Sequence, residues 1–377
     1  MVYLDYSATT PVNPDVLTTF NEVSLEYPGN PNSLHSLGHK SKLLQDELTV
    51  KLTNLLHVQA EEIIYTSGAS EANNLAIKGI ALKYQNRGKH IITSMLEHAS
   101  IFGPLNYLQE LGFEIEFVNL KPNGLVDLEH LQSIIRDDTI LVSIAMVDSE
   151  LGILQPINEI SQIVKKHPKC FFHSDVTQAM GKINVDFSNI DLASFSAHKF
   201  YGLKGIGALI KKQKIMLEPI IHGGKSTTSF RSGTPALPLI ASLFKALSII
   251  NPKLNENYQL VKELHDDLIK FLKTFKNIYL NSPESSIPFV INFSIDEIKA
   301  ETFVHALDQH QIYISTKSAC SKPNSPSQAV YAVTHNSKAA ASSLRISLSY
   351  LTTADEISTF KEKFQQSYNY LNNLKGE

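Results

Sequence analysis

Between about residues 60 and 200 two hydrophobic patterns alternate along the chain. Short apolar runs occur at Ile63–Thr66, His90–Thr93, Phe113–Leu120, Thr139–Val147, Cys170–Ser174 and Ala193–Ser196. Between them, stretches 70–84, 99–111, 127–136 and 157–167 place apolar residues at helical spacing, and a short helical stretch follows Ser174. Strands alternating with helices predict crossover units and a mainly parallel sheet covered on both faces. Upstream, 14–26 and 36–57 read as helices around the loop Tyr27–Ser33. Downstream, 208–224 return to strand and loop, and a helix runs from Pro235 to about residue 250.

After Asn251-Pro252 the pattern changes. Amphipathic helices over 255–275, 299–310 and 354–374 mix with short strands at 289–295, 312–316 and 344–349. That is an α+β pattern. The expected architecture is α/β: a large domain over 13–250 with a mainly parallel, seven-stranded-type sheet, and a smaller α+β domain from 1–12 and 251–377. The 377-residue length fits, at about 150 residues per domain.

Composition narrows the function classes. A net charge of -3 argues against general nucleic-acid affinity through a basic surface. No uninterrupted apolar run is long enough to span a bilayer, and the start of the chain has no basic-then-apolar leader, so the expected location is the cytoplasm. Two cysteines give no disulfide framework. Cys170, inside Lys169-Cys170-Phe171-Phe172, reads as core, whereas Cys320 lies in a polar, proline-containing loop with no packing reason to be there.

In sheets of this class ligands sit at the carboxyl ends of the strands. Lys199 follows the last apolar run, within Ser196-Ala197-His198-Lys199. A lysine at the end of a buried strand is costly unless something holds or modifies it. A Schiff-base amine is one reason to place it there; a side chain reaching water is the plainer one. Ser67-Gly68-Ala69-Ser70 opens a helix, either as a phosphate site at the helix N-terminus or as an ordinary cap. His98 stands at a strand-to-helix junction, as a cap, a core residue or an imidazole over a ring. Asp175 ends a strand in apolar surroundings, as an N-cap or as the partner of a cation, with Gln178 three residues on. The ordered set describes a site for pyridoxal phosphate. Lys199 takes the aldehyde, Asp175 faces the pyridine nitrogen, and Gln178 faces the ring oxygen. Ala69, Ser70, Ser196 and His198 hold the phosphate, and His98 lies over the ring.

These stretches resemble the cysteine desulfurases, of the class V aminotransferase family among fold-type I pyridoxal-phosphate enzymes. The resemblance runs nearly end to end. It is carried by Tyr3-Leu4-Asp5-Tyr6-Ser7-Ala8-Thr9-Thr10-Pro11, Gly29-Asn30-Pro31, Thr66-Ser67-Gly68-Ala69-Ser70-Glu71, Glu97-His98, Glu150-Leu151-Gly152, Asp175-Val176-Thr177-Gln178 and Ser196-Ala197-His198-Lys199. Further matches are His222-Gly223-Gly224, Arg231-Ser232-Gly233-Thr234, Ser318-Ala319-Cys320 and Leu344-Arg345-Ile346-Ser347. It implies conversion of L-cysteine to L-alanine, with a persulfide on Cys320 passed to an acceptor protein in iron–sulfur, tRNA-thiolation or thiamine pathways. It also implies a homodimer in which Thr234 reaches the neighbouring cofactor's phosphate. Lys199 and His98 would move protons, Arg345 would hold the substrate carboxylate, and no metal or membrane would be needed. Two positions depart from the family pattern. Ser149 stands where an asparagine is usual beside the cofactor and substrate carboxylate, and Lys317 where a glycine is usual before Ser318. Two other readings stand beside this one. The first is a selenocysteine lyase or other class V transferase. The second is a cofactor-binding sulfur-relay partner with little activity alone.

Overall fold

The computed structural model describes residues 1–59, 62–224, 228–316 and 325–373. The first elements are β1 (Val2–Tyr3), α1 (Pro14–Glu26) and α2 (Ser36–Leu56). The alternating region follows as β2 (Ile63–Thr66), α3 (Ala69–Tyr84), β3 (His90–Thr93), α4 (Ala99–Glu110), β4 (Glu114–Phe117), α5 (Leu128–Ile134), β5 (Thr139–Ser143) and α6 (Ile157–Val164). It ends with β6 (Phe171–Asp175), β7 (Leu192–Ser196) and β8 (Gly207–Lys211).

These strands form one seven-stranded sheet in the order β2-β8-β7-β6-β5-β3-β4. All neighbours are parallel except β8, which runs antiparallel to both β2 and β7. Strand periodicity sends alternate side chains to opposite faces. Ile91, Leu141, Leu192 and Leu209 pack under Ala72, Leu75, Ala76 and Ile80 of α3. Ile92, Val142, Ala193 and Ile210 belong to the core on the other face, with Leu243 and Leu247 of α7 (Leu237–Ile250). Both faces are therefore apolar, and β5, β7 and β8 are buried along their whole length.

The chain continues as α8 (Leu254–Leu272), β9 (Ile278–Leu280), β10 (Val290–Ile295), α9 (Ala300–Asp308), β11 (Ile312–Tyr313), α10 (Gln328–Thr334), α11 (Ser337–Ala341), β12 (Ser343–Ser347) and α12 (Ala354–Asn373). Strands β12-β10-β9 make an antiparallel three-stranded sheet, and β1 pairs in parallel with β11. Phe364 of α12 seats against Phe271, Phe275, Phe293, Phe303 and Phe360. The residues between β1 and α1 cross to the large sheet. Ser347 N–H donates to the Leu4 carbonyl at 2.7 Å, and Thr10 N–H to the His198 carbonyl at 2.9 Å.

Three expectations are corrected. The run Thr139–Val147 leaves the ladder after Ser143, because β3 ends at Thr93; beyond it the N–H groups of Ile144 and Met146 still donate to β6 carbonyls, and the Met146 carbonyl accepts from Gln155 N–H. The stretch after Asp175 is a series of turns, closed by Ala179 N–H on Val176 and Lys182 N–H on Ala179, and not a helix. The strand at 312–316 shortens to two residues, with only an isolated bridge at Ser315. The stretch Leu237–Leu272 is long and apolar enough to cross a membrane by length and composition. Its Leu237, Ile240, Leu243, Ala246, Leu247 and Ile250 are buried against protein, as in a core helix.

Candidate active site

Where β2, β3, β5, β6 and β7 end, the chain encloses a cavity of about 350 Å³. Its first wall is the start of α3. Gly68 caps that helix with φ +153°, a conformation nearly reserved for glycine, and no described side chain caps it. A Cβ on Gly68 would stand 3.2 Å from Ser196 Oγ across the cavity. The first-turn N–H groups beside Ala69 and Ser70, with the positive end of the helix dipole, form an anion cradle. Ser196 and His198 line the same cavity. The His198 ring bonds Thr9 Oγ1 at 3.0 Å; burial first, then Lys199, Lys204 and Lys182, push its pKa down to about 4, so the ring is neutral.

Lys199 sits in the helical turn that follows β7. Its Nζ donates to the carbonyls of Ser7 at 2.6 Å and Ala8 at 2.8 Å, so the N-terminal segment holds the amine at the cavity wall. Asp175, the last residue of β6, is buried. Its Oδ2 accepts from Asn73 Nδ2 at 2.7 Å and its Oδ1 from Thr177 N–H at 2.9 Å. Asp175 thus organises the turn after its strand, where no helix follows for it to cap, and it lines the cavity. Gln178 lines it too, with its amide already engaged. Nε2 donates to the Ser7 carbonyl at 3.0 Å, and Oε1 accepts from Lys182 Nζ at 3.0 Å. Lys182 is buried, and burial, then Lys199 and Arg345, bring its pKa down to about 7.

His98 caps α4, its Nδ1 accepting from Ser100 N–H at 3.1 Å. Burial lowers its pKa, so this ring is also neutral near pH 7. Arg345 of β12 is 1% exposed. Its Nη2 pairs with Asp5 Oδ1 at 2.8 Å, its Nη1 donates to the Ser149 carbonyl at 2.8 Å, and its Nε has no partner among the described residues. Arg345 is thus not a surface ion pair but a buried guanidinium at the cavity, its Nε–H unspent among the described residues.

Ala69, Ser70, His98, Ser149, Asp175, Gln178, Ser196, His198, Lys199 and Arg345 therefore all line one cavity. Thr234 is exposed and outside this lining. Cys320 and Lys317 lie outside the described residues. Cys170 is buried, and burial drives its thiol pKa up, as suits a core residue.

The site also contains residues that the sequence reading gave no role: Asn73, Ser100, Lys182 and Asp5. Asn73 has a visible sign, because it lies one turn into α3 on the apolar face with Ala72 and Ala76. Lys182 has one as well, as a cation set in Ala179-Met180-Gly181-Lys182-Ile183. Nothing at Asp5 or Ser100 separates them from surface polar residues.

The donor set fits pyridoxal phosphate. An uncapped helix start faces Ser196 for a phosphate, a buried carboxylate faces the cavity for a ring cation, and a lysine amine and a neutral imidazole lie between. The comparisons agree. Residues 2–360 match the aminotransferase class V family. The cysteine desulfurase IscS of Dictyoglomus turgidum is 38% identical over 361 residues, covering 94% of this chain and 91% of that protein. The NifS/IcsS protein homolog of Lactobacillus delbrueckii subsp. bulgaricus is 38% identical over 380 residues, 99% of each. Among solved structures, a NifS-like protein superposes with a TM-score of 0.92 at 32% identity, covering 98% of this chain and 99% of that one. The SspA structure in complex with cysteine superposes at 0.82 and 30% identity, covering 94% and 100%. The chain belongs to the class V aminotransferase family, among its cysteine desulfurases, which are pyridoxal-phosphate-dependent enzymes.

Proposed function

We propose that this chain takes L-cysteine as substrate, releases L-alanine, and carries the sulfur as a persulfide on Cys320 to an acceptor protein. The observation that carries this is the gathering of Lys199, Asp175, His98 and Arg345 around the uncapped start of α3 in one cavity. Bound pyridoxal phosphate supplies an aldehyde that captures amines and a cationic ring that draws electrons away from Cα. The protein does the rest. Ala69, Ser70, Ser196 and His198 bind the phosphate. Asp175 keeps the ring nitrogen protonated, and Gln178 faces the ring oxygen. Arg345 and Ser149 hold the substrate carboxylate, Arg345 with the Nε that no described residue pairs. Lys199 Nζ takes the Cα proton, and His98 moves protons above the ring. The Cys320 thiolate attacks the substrate sulfur: an S–S bond forms, the C–S bond breaks, and its electron pair stays on the carbon side; Cβ is protonated and Cα regains its proton to give alanine.

The chain acts as a cytoplasmic homodimer in this reading, and Thr234 reaches the phosphate of the other copy's cofactor. Its exposure outside its own cavity supports that role. The division into 13–250 and 1–12 with 251–377 is supported by the separate sheets and by the pairing of β1 with β11.

The test is alanine and sulfide release from L-cysteine, with reductant, by wild type and Cys320→Ala, after the visible spectrum of each is recorded. Wild type is expected to turn over. Cys320→Ala is expected to keep the yellow cofactor and release essentially no sulfide. Equal release by both would remove the persulfide role. A yellow wild type that processes only selenocysteine, or only a keto-acid pair, would replace the substrate.

A further inference from the structure

Two side chains, Asn73 and Ser100, connect the Asp175 carboxylate to the His98 imidazole. Asn73 Nδ2 donates to Asp175 Oδ2 at 2.7 Å and to Ser100 Oγ at 2.9 Å. Ser100 Oγ lies 2.9 Å from His98 Nδ1, which also receives the Ser100 N–H at 3.1 Å. The directions in this chain are forced. A carboxylate accepts only, so the nitrogen of the Asn73 amide must face Asp175. That nitrogen spends its second hydrogen on Ser100 Oγ. The hydroxyl, already an acceptor, points its own hydrogen at His98 Nδ1. Nδ1 therefore faces two donors and carries no proton. A neutral ring must then carry its proton on Nε2, which no described residue bonds, while His98 lines the cavity. Asn73 adopts this orientation although its own Oδ1 is left buried without a partner among the described residues. A side chain chosen for packing alone would not need that orphan.

We propose that Asn73 and Ser100 are positioning residues that fix the His98 tautomer, presenting an Nε2–H donor to the reacting face, and that tie this orientation to an ionised Asp175. This rests on the cofactor site proposed above. Asp175 at the end of β6, Lys199 after β7 and Glu150 after β5 are the charged groups that face the ring. Burial and Lys199 oppose its protonation, and Asp175 and Glu150 favour it. The hydroxyl of Ser100, with its hydrogen held toward Nδ1 by Asn73, adds to the first pair, because in that orientation it bonds the neutral form.

The test reads the ring itself. Protein labelled with ¹⁵N-histidine is examined by solid-state NMR, with and without cofactor, and His98→Gln identifies the His98 signals. Wild type is expected to show a protonated Nε2 and a bare Nδ1 near neutral pH. Asn73→Asp replaces the donor with an acceptor, so the Ser100 hydroxyl turns to the new carboxylate and Nδ1 is expected to gain a proton. Ser100→Ala removes one bond to the neutral ring and should raise the His98 pKa by about one unit, with Ser100→Thr restoring it. A protonated Nδ1 in wild type, or an unchanged ring in both Asn73→Asp and Ser100→Ala, would overturn the proposal. If the chain took up no pyridoxal phosphate and showed no visible band, the cofactor reading would fall; the cofactor-free spectra would still decide the tautomer.

Discussion

Arg345 and Lys182 are both buried cations beside the cavity, and they are managed in opposite ways. Arg345 stays charged by pairing with Asp5 and the Ser149 carbonyl. A lysine there would present one point charge in place of a planar fork and could not serve both partners and a carboxylate. Arg345→Lys should keep its cofactor but lose about 2–4 kcal/mol of substrate recognition, roughly 30- to 1000-fold in kcat/KM, measurable by steady-state kinetics. Lys182 donates to the Gln178 oxygen, and burial brings its pKa to about 7 against about 10.4 in the unfolded chain. Between those values the unfolded chain binds more protons, so stability rises with pH there and falls again as pH drops toward 7. Urea titrations from about pH 7 to 10 should show that rise in wild type relative to Lys182→Met, on the order of 4 kcal/mol at most.

At the scale of elements, the central strands hold a polar ladder inside the sheet. His173 of β6 bonds Ser143 of β5 through Nδ1 at 2.8 Å and Ser194 of β7 through Nε2 at 3.0 Å. Burial pushes its pKa down to about 4, so it is neutral in the fold and takes up a proton only on unfolding below about pH 6.5. Stability from this residue is complete above pH 6.5 and is lost as pH falls toward 4, by up to about 3 kcal/mol. His173→Leu should flatten that slope in denaturant midpoints. It should also cost about 2–4 kcal/mol at neutral pH by leaving both hydroxyls buried and unpaired. Such ladders mark what was legible in the sequence and what was not. The runs Ile63–Thr66 and His90–Thr93 are strands to the residue, because apolar period and turn signals agree there. The antiparallel sense of β8 was invisible, since strand patterning carries no direction. The strand-end residues of the site were readable one by one. Ser100 was not, and Asn73 showed only as a polar residue on an apolar helix face, because their contacts exist only once α3, α4 and β6 converge.

On the scale of the whole molecule, the N-terminal segment joins everything. Leu4 bonds β12, Asp5 pairs with Arg345, Ser7 and Ala8 hold Lys199, and Thr10 bonds both His198 and Tyr201. The seven-stranded sheet uses none of these residues as strand partners. Deleting residues 1–10 should therefore leave far-ultraviolet circular dichroism nearly unchanged while abolishing retention of the visible cofactor band on dialysis. The same segment lies 340 positions from its partners at Arg345 and Ser347. On the ribosome, at about 5–20 residues per second, those opening residues wait roughly 20–70 s for the strand they bond. The large sheet and the carbonyl clamp on Lys199 can close in the meantime, but the pair of Asp5 with Arg345 assembles only as the last part of the chain emerges. A truncated nascent chain would thus be folded over much of its length and still lack the buried guanidinium that its opening residues are set to pair.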